Sequence, residues 1–165
     1  KGRGVVLVFY PADFTFICPT ELGELADAYE QFRKLNCEVM SVSTDTVFVH
    51  KAWQENEKEL ANVKYPMAAD PTGKAARMFG VYDDNIGLAL RGTFIINPEG
   101  VLINSETAYY NLGRNIDELM RKFKANLYMS RKTNEVRPSK WRDEGDKTLA
   151  PSAKMVGKVH EALRD

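Results

Sequence analysis

Six consecutive apolar residues, Val5-Val6-Leu7-Val8-Phe9-Tyr10, run straight into Pro11, and a helical pattern opens at Cys18. An unbroken run rich in β-branched and aromatic side chains is the pattern of a strand buried on both faces of a parallel sheet. Pro11 ends it, because proline lacks the N–H that a continuing ladder needs. Beyond the turn, Leu22, Leu25, Ala26, Tyr29 and Phe32 fall at helical spacing, which predicts a helix from about Cys18 with Pro19 in its first turn. Strand, turn and helix in this order place one cysteine at a helix N-terminus.

Unpaired backbone N–H groups and the positive end of the helix dipole gather there, and both stabilise an anion such as a thiolate. Thr15 precedes Cys18 by three residues, within reach for its hydroxyl to bond the sulfur or an oxygen held beside it. Cys18 then reads as an activated nucleophile. The alternative is a structural thiol, since free cysteine is among the most buried residue types.

The following residues alternate between the two patterns of an α/β chain. Cys37 to Thr44 reads as a second strand, joined to the first by a crossover that implies parallel pairing. Cys37, at its start, is either a disulfide partner for Cys18 or a core residue entering a sheet. Val47 to about Asn62 reads as a helix entered through the capping-type residues Ser43-Thr44-Asp45-Thr46. It carries His50, a general base or a surface or packing residue, to which no role is given, and Trp53. Tyr65 to Asp70 reads as a short strand, Pro71-Thr72-Gly73 as a turn, Lys74 to Phe79 as a short helix stopped by Gly80, and 83–87 as a polar loop. Leu88 to Ile96 and Val101 to Ser105 flank Asn97-Pro98-Glu99-Gly100, a hairpin signal. Arg91 lies in the first of these strands and needs either an anion or an edge position open to water. Asn115-Ile116-Asp117-Glu118 resembles a capping box, opening a last helix to about Ser130.

Composition narrows the classes. The 165 residues suit one domain, and 23 basic residues balance 23 acidic ones, which argues against nucleic acid or an anionic membrane as the main partner. No apolar run approaches a membrane span and no signal peptide opens the chain, so the expected location is cytoplasmic. Two cysteines and two histidines supply neither a disulfide framework nor a metal centre, and no cofactor is expected.

Pro11-x-x-x-Thr15-x-x-Cys18, followed by Pro19-Thr20-Glu21, resembles the active-site loop of the peroxiredoxins, in particular the typical 2-Cys group that includes the alkyl hydroperoxide reductase C subunits. The resemblance covers essentially the whole chain. It implies a thioredoxin-like fold, a central mixed β-sheet flanked by helices with an extended C-terminal tail, divided as a domain over 1–130 and a tail over 131–165. It implies a peroxidase that reduces hydrogen peroxide or an alkyl hydroperoxide. Cys18 would be the nucleophile, Thr15 and Arg91 would bind the peroxide, and Pro11 would shield the loop. Glu21, Arg114 and Trp53 would support them. The family carries residues before the first strand, so the chain is expected to be a fragment. It lacks the Gly-Gly-Leu-Gly insertion of easily overoxidised members.

The resemblance also implies a homodimer, able to close into a decamer, in which the tail reaches a second subunit and presents a resolving cysteine just before Pro-x-Lys-Trp. Here the segment reads Val136-Arg137-Pro138-Ser139-Lys140-Trp141, with Arg137 where that cysteine belongs. The expected consequence is a sulfenic acid resolved from outside by a thioredoxin-like protein, a flavin reductase or a small thiol, less readily by Cys37. Two other classes stand beside it: a chaperone or redox-signalling scaffold, and a disulfide oxidoreductase, which the absence of Cys-x-x-Cys disfavours.

Overall fold

A computed structural model describes residues 2–164. They fall into two compact units, divided between Ile116 and Asp117. The first holds a five-stranded mixed sheet in the order β3-β2-β1-β6-β7. In chain order its elements are β1 (Gly4–Phe9), α1 (Cys18–Lys34), β2 (Cys37–Ser43), α2 (Val47–Asn56), β3 (Met67–Ala69), α3 (Lys74–Met78), β4 (Tyr82–Asp83), β5 (Leu88–Ala89), β6 (Arg91–Ile96) and β7 (Leu102–Ala108). β1, β2 and β3 are parallel neighbours, while β6 lies antiparallel between β1 and β7.

β1 occupies the centre and is buried on both faces, as its unbroken apolar run requires: Val6 and Phe9 have no exposure, Val8 1% and Leu7 8%. Leu7 and Phe9 pack with Val42, Ala76, Val81, Ala89 and Phe94. Val6 and Val8 turn to the other face by the alternation of a strand. Asn36 makes the left-handed turn from α1 into β2 at φ 57°, a conformation asparagine tolerates better than most residues. Gly23 is required on α1, because a Cβ there would sit 2.8 Å from the Glu59 carbonyl oxygen.

Several boundaries differ from the sequence expectation for local reasons. The helix expected over Val47–Asn62 ends at Asn56, where Glu57 turns extended and a single tight turn, Lys58–Leu60, follows. Its expected N-terminal cap is present, with Thr46 Oγ1 accepting from Val49 N at 3.4 Å. The strand expected from Leu88 to Ile96 is two strands, because the Leu90 N–H bonds the Val81 carbonyl at 2.7 Å and breaks the run. Its first part pairs with β4, so the expected polar loop at 83–87 is the tip of a small hairpin.

In the second unit, α4 (Ile116–Arg131, its first residue in the first unit) is grouped with the tail, where the sequence reading placed the division at 130/131. Trp141 and Leu149 are buried, Leu149 bridges Val136, and Arg121 donates to the Trp141 carbonyl at 3.0 Å. The Trp141 indole lies beside the Tyr128 ring, centroids 5.8 Å apart, and anchors this segment. A short helix, α5 (Val159–Arg164), follows.

Candidate active site

Cys18 is the first residue of α1 and is wholly buried, with Pro19 behind it in the first turn. No side chain caps this helix end. Its sulfur lies 3.4 Å from Arg91 Nη1, which also donates to Glu21 Oε2 at 2.7 Å. Arg91 is 4% exposed and β6 is an interior strand, so an edge arginine reaching water is ruled out. Its Nε donates to the Tyr110 carbonyl at 2.8 Å, which fixes the plane of the guanidinium.

Arg114 closes the arrangement from behind. Its Nη1 donates to Glu21 Oε2 at 3.1 Å and its backbone N–H to Oε1 at 2.5 Å. Nε reaches Thr93 Oγ1 at 2.7 Å, and Nη2 reaches the carbonyls of Gly92, at 2.8 Å, and Phe9. Burial holds this guanidinium below its ordinary pKa, with the charge of Glu21 opposing the shift. Two buried guanidiniums thus face one carboxylate. The remaining positive charge has the Cys18 sulfur beside it.

The loop before Cys18 is held in an uncommon shape. Phe14 adopts φ 53°, a left-handed conformation costly for an aromatic residue, and its ring lies 6.2 Å from that of Trp53. Trp53 is buried beneath the loop, also 6.0 Å from the Tyr10 ring, rather than in the wall of the cleft. The Thr15 hydroxyl donates to the Ala12 carbonyl at 2.8 Å. Its proton is therefore committed, and its oxygen remains to accept a hydrogen bond.

A cluster that sequence reasoning missed anchors the same loop. His50 is 5% exposed, which sets aside the surface half of its reading and leaves a buried, packed ring. Its Nδ1 lies 2.6 Å from Asp13 Oδ2 and its Nε2 3.1 Å from the Ala68 carbonyl. Both partners offer acceptor oxygens, an arrangement that favours the doubly protonated ring. Asp13 Oδ1 accepts from the Tyr10 hydroxyl at 2.6 Å, and the Asp13 N–H donates to Asp45 Oδ2 at 2.9 Å, itself bonded by Ser43 Oγ at 2.6 Å. Burial opposes the charge on His50, but the hydrogen bond and charge of Asp13 outweigh it and raise its pKa. The available signal was an aspartate inside the cysteine loop and a histidine on the first turn of a helix entered from a neighbouring strand.

In front of the sulfur is a cleft of about 310 Å³ lined by Pro11, Thr15, Phe16, Ile17, Cys18, Ile86, Leu88, Arg91, Tyr110 and Asn111. Ile86, Leu88, Tyr110 and Asn111 carry no sequence signal of a site, since they lie in turns or, for Leu88, in the two-residue strand β5. Cys37 is elsewhere. It pairs with Gly4 at one end of β1, while Cys18 and Arg91 lie past the other end. The intervening strand spans roughly 17–20 Å, against the ~7 Å limit between disulfide-bonded Cα atoms. Burial pushes the Cys37 thiol up to about 12, and it donates to the Glu38 carbonyl.

A buried cysteine at a helix start, beside an arginine held by a glutamate, on a mixed sheet of this order, defines a class, and comparison with known proteins gives the same one. Residues 1–105 match the model of the AhpC/TSA family, and the chain belongs to that family. It is 48% identical over 159 residues to alkyl hydroperoxide reductase C of Salmonella typhimurium, covering 96% of this chain and 84% of that protein. The protein of the same name from Escherichia coli is equally similar, at 48% over 159 residues. Among solved structures, Enterococcus faecalis AhpC superposes with a TM-score of 0.81 at 45% identity, covering 83% of this chain and 82% of that one. Reduced 2-Cys peroxiredoxin of Plasmodium vivax superposes with 0.86 at 29% identity, covering 94% and 83%. The chain is a peroxiredoxin, a thiol-dependent peroxidase with a thioredoxin-like fold.

Proposed function

We propose that this chain reduces hydrogen peroxide and organic hydroperoxides at Cys18 and that the oxidised cysteine is resolved by an external thiol. The observation that carries the first part is Arg91 Nη1, which serves Cys18 Sγ at 3.4 Å and Glu21 at 2.7 Å together. The Cys18 thiolate attacks the terminal peroxide oxygen. The O–O bond breaks, its electron pair leaves on the distal oxygen as hydroxide or alkoxide, and that oxygen takes a proton to become water or alcohol. Cys18 is left as a sulfenic acid. Arg91 polarises the peroxide and balances the charge as the bond breaks, the free lone pairs of Thr15 Oγ1 accept from the peroxide O–H, and Pro11 shields the sulfur. Glu21 and Arg114 position Arg91, and Trp53 supports the loop.

The second part rests on Arg137. It stands where the family resemblance places a resolving thiol, and its guanidinium lies 5.2 Å from the Tyr128 ring and 4.7 Å from the Trp141 ring. Arginine cannot attack a sulfenic acid. Cys37 is at the wrong end of the sheet and is held as a thiol by burial. A first external thiol therefore condenses with the sulfenic acid, releasing water and forming a mixed disulfide, and a second thiol opens it to regenerate Cys18. Physiological donors of this chemistry are a thioredoxin-like protein, a flavin reductase or a small thiol, acting on a homodimer.

Intact mass measured with a sulfenic-acid trap, after one equivalent of hydrogen peroxide and without added thiol, tests both parts. An adduct on Cys18 without a disulfide is expected. An unmodified Cys18, or peroxide consumption that survives Cys18→Ser, would overturn the peroxidase site, and a Cys18–Cys37 disulfide would overturn external resolution. Protection of unfolded clients that persists in Cys18→Ser would support the scaffold reading instead.

A further inference from the structure

Tyr110 joins two parts of the cleft that are separate in sequence. Its carbonyl accepts from Arg91 Nε at 2.8 Å, and its hydroxyl donates to Asp83 Oδ2 at 2.8 Å. Asp83 closes β4, at the root of the hairpin that β4 forms with β5. Its other oxygen, Oδ1, accepts from the backbone and side-chain nitrogens of Asn85 at 2.9 and 3.0 Å, and its carbonyl from Gly87 N at 2.9 Å. On the outer side, the Arg77 guanidinium lies 3.7 Å from the centre of the Tyr82 ring and donates to Asp84 at 2.8 Å. The hairpin is thus folded on one carboxylate and tied by one hydroxyl to the residue that orients Arg91.

This hairpin contributes Ile86 and Leu88 to the cleft, and Phe16 and Ile17 also line it. Ile86 is 51% exposed and Phe16 91% exposed, so neither is spent on the core. The polar groups gather at the sulfur, and the walls of the mouth are apolar. With the peroxide oxygens in the cleft against Cys18 and Arg91, an organic substituent on the distal oxygen extends toward that mouth. Hydrogen peroxide has no such substituent.

We propose that the Tyr82–Ala89 hairpin is a substrate-selecting wall, on which Ile86 and Leu88 take the organic group of a hydroperoxide while Tyr110 is the positioning residue that fixes the wall relative to Arg91. This rests on the peroxidase site at Cys18. An apolar contact of this size separates a substrate that makes it from one that does not by about tenfold or more in kcat/KM.

The test compares kcat/KM for cumene hydroperoxide and hydrogen peroxide, with dithiothreitol as reductant, in the full chain and in Ile86→Ser, Ile86→Ala and Tyr110→Phe. Tyr110→Phe keeps the carbonyl that holds Arg91 and deletes only the tether. The cumene-to-hydrogen-peroxide ratio is expected to fall about tenfold in Ile86→Ser, mainly through KM, and severalfold in Ile86→Ala and Tyr110→Phe. Equal losses on both peroxides, or ratios within twofold of the unmodified chain in both Ile86 variants, would overturn the wall. A fall in the Ile86 variants with an unchanged ratio in Tyr110→Phe would overturn the positioning role of Tyr110. If the unmodified chain consumes neither peroxide, the peroxidase site itself fails, an outcome distinct from the other two.

Discussion

Arg91 and Glu21 meet at 2.7 Å with side-chain exposures of 4% and 2%, and the arginine nitrogen that makes this ion pair is the one that faces the sulfur of Cys18. A buried ion pair is a poor source of net stability, because two desolvated charges recover by mutual attraction little more than they lose. Its value here is geometric. Glu21, gripped also by the side chain and backbone N–H of Arg114, keeps a cation aimed at the sulfur of Cys18.

Arg91→Lys tests that geometry. Lysine keeps the charge but offers a single nitrogen, which cannot serve Glu21, Cys18 and the Tyr110 carbonyl with the fixed fork of a guanidinium. kcat/KM for hydrogen peroxide is expected to fall by about 10²–10³, the scale for loss of one preorganised donor. Stopped-flow peroxide consumption measures it. Activity within a few-fold of the original would mean that charge alone suffices.

Glu21→Gln removes the carboxylate and leaves Arg91 and Arg114 buried with an amide between them. Breaking a buried pair in this way costs about 3–5 kcal/mol. The urea midpoint should drop accordingly, together with peroxidase activity. A variant of unchanged midpoint would show that the two arginines find other compensation.

Arg137→Cys returns a thiol to the position that the family resemblance gives to a resolving cysteine. After one equivalent of peroxide, a denaturing gel without reductant should show a covalent dimer through Cys18 and the introduced thiol, while the unmodified chain stays monomeric. A variant that remains monomeric and trapped as a sulfenic acid would mean that this segment does not reach a partner's Cys18.

The Asp13–His50 pair predicts the pH dependence of stability. The folded-state pKa of His50 is raised, so its contribution is fully present below the unfolded value of about 6.5 and is lost as pH rises through the folded value. The groups around the ring, Asp13, Tyr10, Asp45 and the Ala68 carbonyl, contain no competing cation. His50→Gln should therefore be more destabilising in urea titrations at pH 6 than at pH 9, by about 3 kcal/mol at the lower pH, where Asp13 loses its charged partner. Equal destabilisation at both pH values would show that the ring acts by packing.

The central strand, the helix that begins at Cys18 and the β6–β7 hairpin are legible in the amino-acid order, because each rests on local rules: an apolar run, a proline, a four-residue turn with glycine. The loop motif around Cys18 was legible for the same reason, and Arg91 stood out as a charge in an apolar run. The loop's support was not. Asp13 and His50 are 37 positions apart, and only the placing of α2 against the loop buries the histidine ring on that carboxylate. Tyr110 and Ile86 were equally silent, since a tyrosine and an isoleucine in connecting segments acquire meaning only when β4 and β5 fold back beside the cleft.

Local sequence thus determined which sulfur stands at a helix start, which strand would bury itself at the centre and where the helix would start, since these depend on neighbours a few residues away. Tertiary structure alone decided what surrounds the sulfur. Residues 18, 21, 91 and 114 converge because β6 inserts antiparallel between β1 and β7, and Cys37 is set apart because its strand pairs with β1 in parallel from the opposite end. Register and strand order are properties of long-range pairing, and no short stretch of the chain encodes them.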